Sequence, residues 1–148
     1  MYIAIEIQTN IDKTVGSIIL PTSDNFFTIN NTYHTALAAA AISTVPKHTV
    51  LLFSNKGQLI NSESYIHDNT ENIFKYLVVE IQTYQNGNVG VLINDYDSIE
   101  QANNKYYTIL AAAAISELPQ HAAVMFDNAG GVIKSECLGV NPSEEEEN

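Results

Sequence analysis

Arginine is absent from the 148 residues, and cysteine occurs once. All six basic residues are lysines, so the chain has no guanidinium fork for bidentate grip on phosphate or carboxylate. Against them stand 17 acidic residues, for a formal net charge of −11, which excludes nonspecific nucleic-acid binding as a working mode. Four of the negative charges lie in the terminal SEEEEN, and the remainder of the chain is still net acidic. With Cys137 alone, no internal disulfide can form, and the residue reads as a small buried hydrophobe rather than a nucleophile. Apolar runs fall well short of the ~20 residues of a membrane-spanning helix. The opening MYIAIEIQT has neither the basic lead-in nor the apolar core of a secretion signal, so a soluble, non-secreted, non-membrane protein is expected. No GxSxG, HExxH or paired CxxC occurs, and the glycines of NAGG, Asn128 to Gly131, follow a strand rather than open a helix.

What the chain does contain is itself, twice. LAAAAIS runs from Leu37 to Ser43 and again from Leu110 to Ser116. YIAIEIQT (Tyr2 to Thr9) precedes the first copy and YLVVEIQT (Tyr76 to Thr83) the second; STVPKH and SELPQH follow them. The correspondence continues through Phe53, Asn55, Gly57, Ile60, Ser62 and Glu63 onto Phe126, Asn128, Gly130, Ile133, Ser135 and Glu136. Either copy alone would be marginal as a folded domain, whereas two mated halves can bury apolar surface that neither could bury by itself. The expected organisation is a first unit over 1–67, a polar linker over 68–75, a second unit over 76–140 and an acidic tail over 141–148, the last reading as a disordered solvated end.

In YIAIEIQT, Ile3, Ile5 and Ile7 alternate with Tyr2, Ala4, Glu6 and Gln8, the pattern of a strand with one face on a core. Turn signals follow, NIDKT in one copy and YQNGN in the other, and then VGSIIL and VGVLI, so each unit opens with a hairpin. Asp24 and Asp97 stand as candidate helix N-caps, with Glu100 three residues after Asp97. The stripes Phe26, Ile29, Tyr33, Leu37, Ala40 and Ile99, Ala102, Tyr106, Leu110, Ala113 predict one helix per unit, stopped by Pro46 and Pro119. HTVLLF with QLINSESY, and HAAVMF with VIKSECLGV, complete two ββαββ units. The fold class is therefore α+β, two tandem ββαββ units about a pseudo-twofold axis, with antiparallel sheets and one alanine-rich helix each.

Four consecutive alanines strip the bulk from a full helical turn, so Ala38, Ala40, Ala41 and their counterparts Ala111, Ala113 and Ala114 are candidate close-packing positions. Each helix's own sheet is the first partner to test, with the opposite helix or an external groove as the alternatives. Glu6 and Glu80 interrupt apolar strands at the same place. They fit a solvated sheet face, a contact between halves or molecules, or acid-base chemistry. His48 and His121 begin matching strands and could combine with Glu63 and Glu136 into two equivalent histidine-carboxylate sites. Their spacing fits no compact metal motif, so neither metal nor cofactor is expected.

The stretches YIAIEIQT, YHTALAAAAIS, VPKH and INSESYIH resemble a loose family of short uncharacterised proteins of tailed bacteriophages of gut bacteria. Tyr33, His34, Pro46, His48, Glu63, Tyr65 and His67 carry the resemblance in the first half; Tyr106, Pro119, His121 and Glu136 carry it in the second. There Tyr107 stands in place of the helix histidine, and Leu138 and Val140 replace the final Tyr and His. The resemblance implies a phage origin and no catalytic residues, with this chain a fused pair of single units. A non-enzymatic structural or accessory protein is expected, in the virion or the host cytoplasm, whose partners are other phage proteins or further copies of itself. The alternative is an anti-defence protein that sequesters a small nucleotide signal at the pseudo-twofold interface.

Overall fold

The computed structural model describes residues 1–12, 14–67, 76–127 and 131–138. The expected linker, the acidic tail, most of the NAGG turn and the last two residues foreseen for the final strand lie outside them. The first unit runs β1 (Ile3–Thr9), β2 (Val15–Ile19), α1 (Phe26–Ala41), β3 (Lys47–Phe53) and β4 (Leu59–Ile66). The second repeats it as β5 (Tyr76–Thr83), β6 (Val89–Tyr96), α2 (Ile99–Ala114), β7 (Gln120–Asp127) and β8 (Val132–Leu138). Each forms a four-stranded antiparallel sheet, in the orders β2-β1-β3-β4 and β6-β5-β7-β8. The two ββαββ units expected from the duplication are the units observed.

The period-two alternation decides the layering. Ile3, Ile5 and Ile7 of β1 and Leu51 and Phe53 of β3 pack in one cluster with Leu77, Val79, Ile81, Ala122, Val124 and Phe126 of the second unit. The two sheets therefore face each other across a shared core, and each fully buried aliphatic side chain there contributes roughly 1.5–3 kcal/mol. The opposite faces carry the helices. Ala4, Val50 and Leu52 lie under Ile29, Tyr33, Ala36 and Leu37 of α1. Val78, Ala123 and Met125 lie under Ala102, Tyr106, Ile109 and Leu110 of α2. The result is a helix, sheet, sheet, helix sandwich.

Polar contacts reveal the dyad. Lys47 Nζ, at the start of β3, donates to the carbonyl oxygen of Asp127 at the end of β7, 3.2 Å away. Gln120, at the start of β7, donates to the carbonyl of Asn55 just past β3. Equivalent strands thus run in opposite directions across the core, β2 lies against β6, and the approximate axis lies between the sheets.

The helix caps sit one residue later than the sequence pattern placed them. Asn25 caps α1, its side chain accepting from Phe27 N at 2.8 Å and Thr28 N at 3.2 Å. Ser98 caps α2, accepting from Gln101 N, and its hydroxyl donates to Glu100 Oε2 at 2.6 Å. Asp24 pairs instead with the amino terminus of Met1 at 3.2 Å. The asparagine amide oxygen reaches two orphan N–H groups at once, which an aspartate one position earlier does not.

Among the described residues two turns need glycine. Gly87, at φ 86°, lies in the hairpin closed by Tyr84 N to Asn88 O, as the Asn-Gly signal predicts. Gly57, at φ 79°, lies in the turn closed by Ser54 N to Gln58 O, and a Cβ there would stand 2.4 Å from Cys137 Sγ of the other unit. Among the described residues no helix is long and apolar enough to cross a membrane.

Candidate functional site

Glu6 and His48 come together because β1 and β3 pair with Gln8 opposite His48 and Glu6 opposite Val50, which puts carboxylate and imidazole on one face of neighbouring strands. That face is the helix side, not an open solvated one: the Glu6 side chain is 13% exposed and that of His48 only 4%. His48 Nε2 bonds to Glu6 Oε1, and the same oxygen accepts from Gln8 Nε2 at 2.5 Å. A carboxylate oxygen only accepts, so the ring N–H at Nε2 is the donor.

The second unit repeats the arrangement. His121 Nε2 lies 2.9 Å from Glu80 Oε1, which also accepts from Gln82 Nε2 at 2.7 Å. Tyr84 Oη donates to Gln82 Oε1 at 2.8 Å and extends the chain of bonds to the hairpin. In both units the other ring nitrogen, Nδ1 of His48 and of His121, is buried with no hydrogen-bond partner among the described residues. Neither imidazole therefore exposes a ring nitrogen to solvent in this conformation. What each pair does as it stands is join the two central strands beneath the helix.

Glu63 and Glu136 do not join these pairs. Glu63 lies opposite Val50, one step along β4 from Tyr65, the residue opposite His48, and it is exposed. Its charge acts instead on Tyr33. Burial first, then Glu63 and Tyr65, push the Tyr33 hydroxyl up to about 12, and that hydroxyl has no hydrogen-bond partner among the described residues. Tyr106 is pushed up to about 12 in the same way, by burial and then by Glu136 and Tyr107. Among the described residues no group of three or more His, Cys, Asp or Glu is placed to hold a metal ion.

The alanine turns divide by face. Ala40 and Ala113 are buried toward their own sheets, whereas Ala38, Ala41, Ala111 and Ala114 are exposed. Each helix packs on its own sheet, and Ala40 and Ala113 are the members of the alanine turn that are buried with it. Each helix then ends on an isoleucine, Ile42 and Ile115, both 86% exposed.

Sequence reasoning missed three features. The glutamines two residues after each glutamate hold its carboxylate, a role readable only from an i, i+2 strand face shared with the histidine. Lys47 is buried between the units, where burial lowers it to about 8 against the opposing pull of Asp127; its lone charge at the head of an apolar run was the available signal. His67, noted only through the resemblance, sits with its Nε2 2.8 Å from the Ala40 carbonyl at the end of α1, and its ring stacks with that of Tyr65.

A cavity of about 370 Å³ opens between the units, walled by Phe53, Leu59, Ala122 and Val124, with Glu136 and Cys137 among its polar lining. Burial raises the Cys137 thiol, which keeps it a poor nucleophile. No family model, no curated protein and no solved structure matches the chain.

Proposed function

We propose that the protein is a non-enzymatic, virion-associated structural or accessory protein of a tailed bacteriophage, acting through protein-protein contacts. The observation that carries this reading is the pair of duplicated apolar surfaces. In each unit an isoleucine 86% exposed stands at the end of a helix whose outward alanines, Ala38 and Ala41 or Ala111 and Ala114, add no bulk around it. Flat apolar ground next to a projecting aliphatic side chain suits a protein partner, and its repetition about a dyad suits a partner that is itself repeated. Both ring nitrogens of each buried histidine are withdrawn from solvent, which accords with contact rather than chemistry. Mass spectrometry of purified particles tests the reading: the chain is expected among the virion proteins, and its absence would remove the proposal.

The second reading, sequestration of a nucleotide signal to blunt a host defence, has the inter-unit cavity in its favour. Among the described residues its lining includes a carboxylate and no lysine, which opposes a phosphate. Calorimetry with cyclic dinucleotides decides it, since no heat at micromolar protein would exclude that ligand class.

A further inference from the structure

We infer that two copies of this chain join edge to edge through β2, with β6 stacked alongside, to form a twofold dimer whose sheets run on from one molecule into the next. The inference rests on the contact-based reading above and names one partner for it.

The backbone supplies the first observation. Among the described residues β2 is an edge strand, hydrogen-bonded to β1 and to no strand on its far side. The Leu20 N–H bonds to Ala4 O, and the register pairs Ile18 with Glu6 and Gly16 with Gln8, so the even-numbered residues of β2 bond inward. The N–H and C=O groups of Val15, Ser17 and Ile19 consequently point outward, a row ready for another strand.

Charge supplies the second. β2 reads VGSII, with no charged residue and no proline, the devices that usually protect an edge. The opposite edges are charged: Glu63 on β4, and Lys134 and Glu136 on β8. For a molecule carrying −11, β2 is the edge at which a like-charged copy meets no charge, while β6 beside it carries a single exposed carboxylate, Asp95, near its far end.

The third is the stacking of the edges. β2 lies against β6, itself an edge of the second sheet, so this side of the sandwich presents two stacked strand edges whose Cα atoms come within 8 Å of each other. A partner that satisfies both must present two edges at the same spacing, and a second copy does. One dyad perpendicular to the sheets sets β2 antiparallel to its mate and β6 antiparallel to its own, extending both sheets together.

Side chains fit this arrangement. Centred on Ser17, the pairing places Ile18, 51% exposed, across from Gly16 of the other copy, where nothing stands within 4 Å of an added Cβ. On β6, Leu92 is 58% exposed in the matching position, while Tyr84 already covers Gly90. The open slot is on β2, which makes β2 the principal seam.

Light scattering on the size-separated full chain tests the inference. The wild type is expected at twice the 16.3 kDa of one chain, and raising the salt should favour that form by screening the acidic charge. Ile18→Lys and, separately, Ser17→Pro, which deletes one outward N–H and no β1 bond, should each halve the mass with circular dichroism unchanged. Ile60→Lys, on the β4 edge, should leave it doubled. A monomeric wild type at high protein and salt, a dimer indifferent to both β2 substitutions, or one dissolved by Ile60→Lys would overturn it. A monomer still found in purified particles would end this inference and leave the contact reading standing.

Discussion

Lys47 of the first unit reaches Asp127 of the second across the shared core, its Nζ 3.2 Å from the aspartate's carbonyl oxygen. The equivalent of Lys47 is Gln120, which reaches back to Asn55, so one dyad-related contact is charged and its twin neutral. This asymmetry governs the alkaline stability of the fold. Burial brings Lys47 from 10.5 down to about 8. Below pH 8 the lysine is charged in both states and the fold bears the full desolvation cost. From pH 8 to about 10.5 the unfolded chain keeps a proton that the folded one gives up, so stability rises with pH. Tyr33 and Tyr106, pushed up to about 12 from 10, act oppositely: above pH 10 the folded chain retains protons the unfolded one loses, and stability falls. The urea midpoint should therefore peak near pH 10, and Lys47→Gln should flatten its rise from pH 8.

Ala40→Leu and Ala113→Leu should each cost about 1–3 kcal/mol by overpacking the helix against its sheet. Ala38→Leu and Ala111→Leu, on the exposed side, should stay within about 0.5 kcal/mol. Urea unfolding of the four variants separates the two faces.

Glu6→Ala leaves His48 with both ring nitrogens buried and unpaired, which should cost about 1–3 kcal/mol. Replacing Glu6 and His48 together by apolar residues should cost less than the two single changes combined, because no orphan remains. A double-mutant cycle reads that coupling directly, and Glu80 with His121 should give the same sign.

Gly87→Ala should cost about 1–2 kcal/mol from left-handed strain alone, since nothing stands near an added Cβ. Gly57→Ala should cost more, adding a collision with Cys137 Sγ to the same strain. Cys137→Ala should recover the difference, leaving Gly57→Ala about as costly as Gly87→Ala. Thermal melts of the four variants check it.

The duplicated LAAAAIS and EIQT segments announced both units, and the alternation of Ile3, Ile5 and Ile7 marked the strand face that lies on a core, though not that the core is shared with the other sheet. Tyr33, Leu37 and Ala40 were legible as a buried stripe from helical spacing. The pairing of His48 with Glu6 rather than Glu63 was not, because it depends on the offset at which β3 meets β1 and β4, and strand composition does not encode that offset. Glu6 looked solvent-facing for a related reason: alternation says which residues share a face, and only the packed helix says whether that face is covered. Lys47 escaped notice because its burial is created by the other unit.

Native-state hydrogen exchange on the whole chain tests most directly the claim that the two repeats fold as one mated body. The slowest amides of β1, β3, β5 and β7 should exchange with a single common opening free energy and the same denaturant dependence. Distinct opening energies for the β1/β3 and β5/β7 pairs would show two independent halves and contradict it.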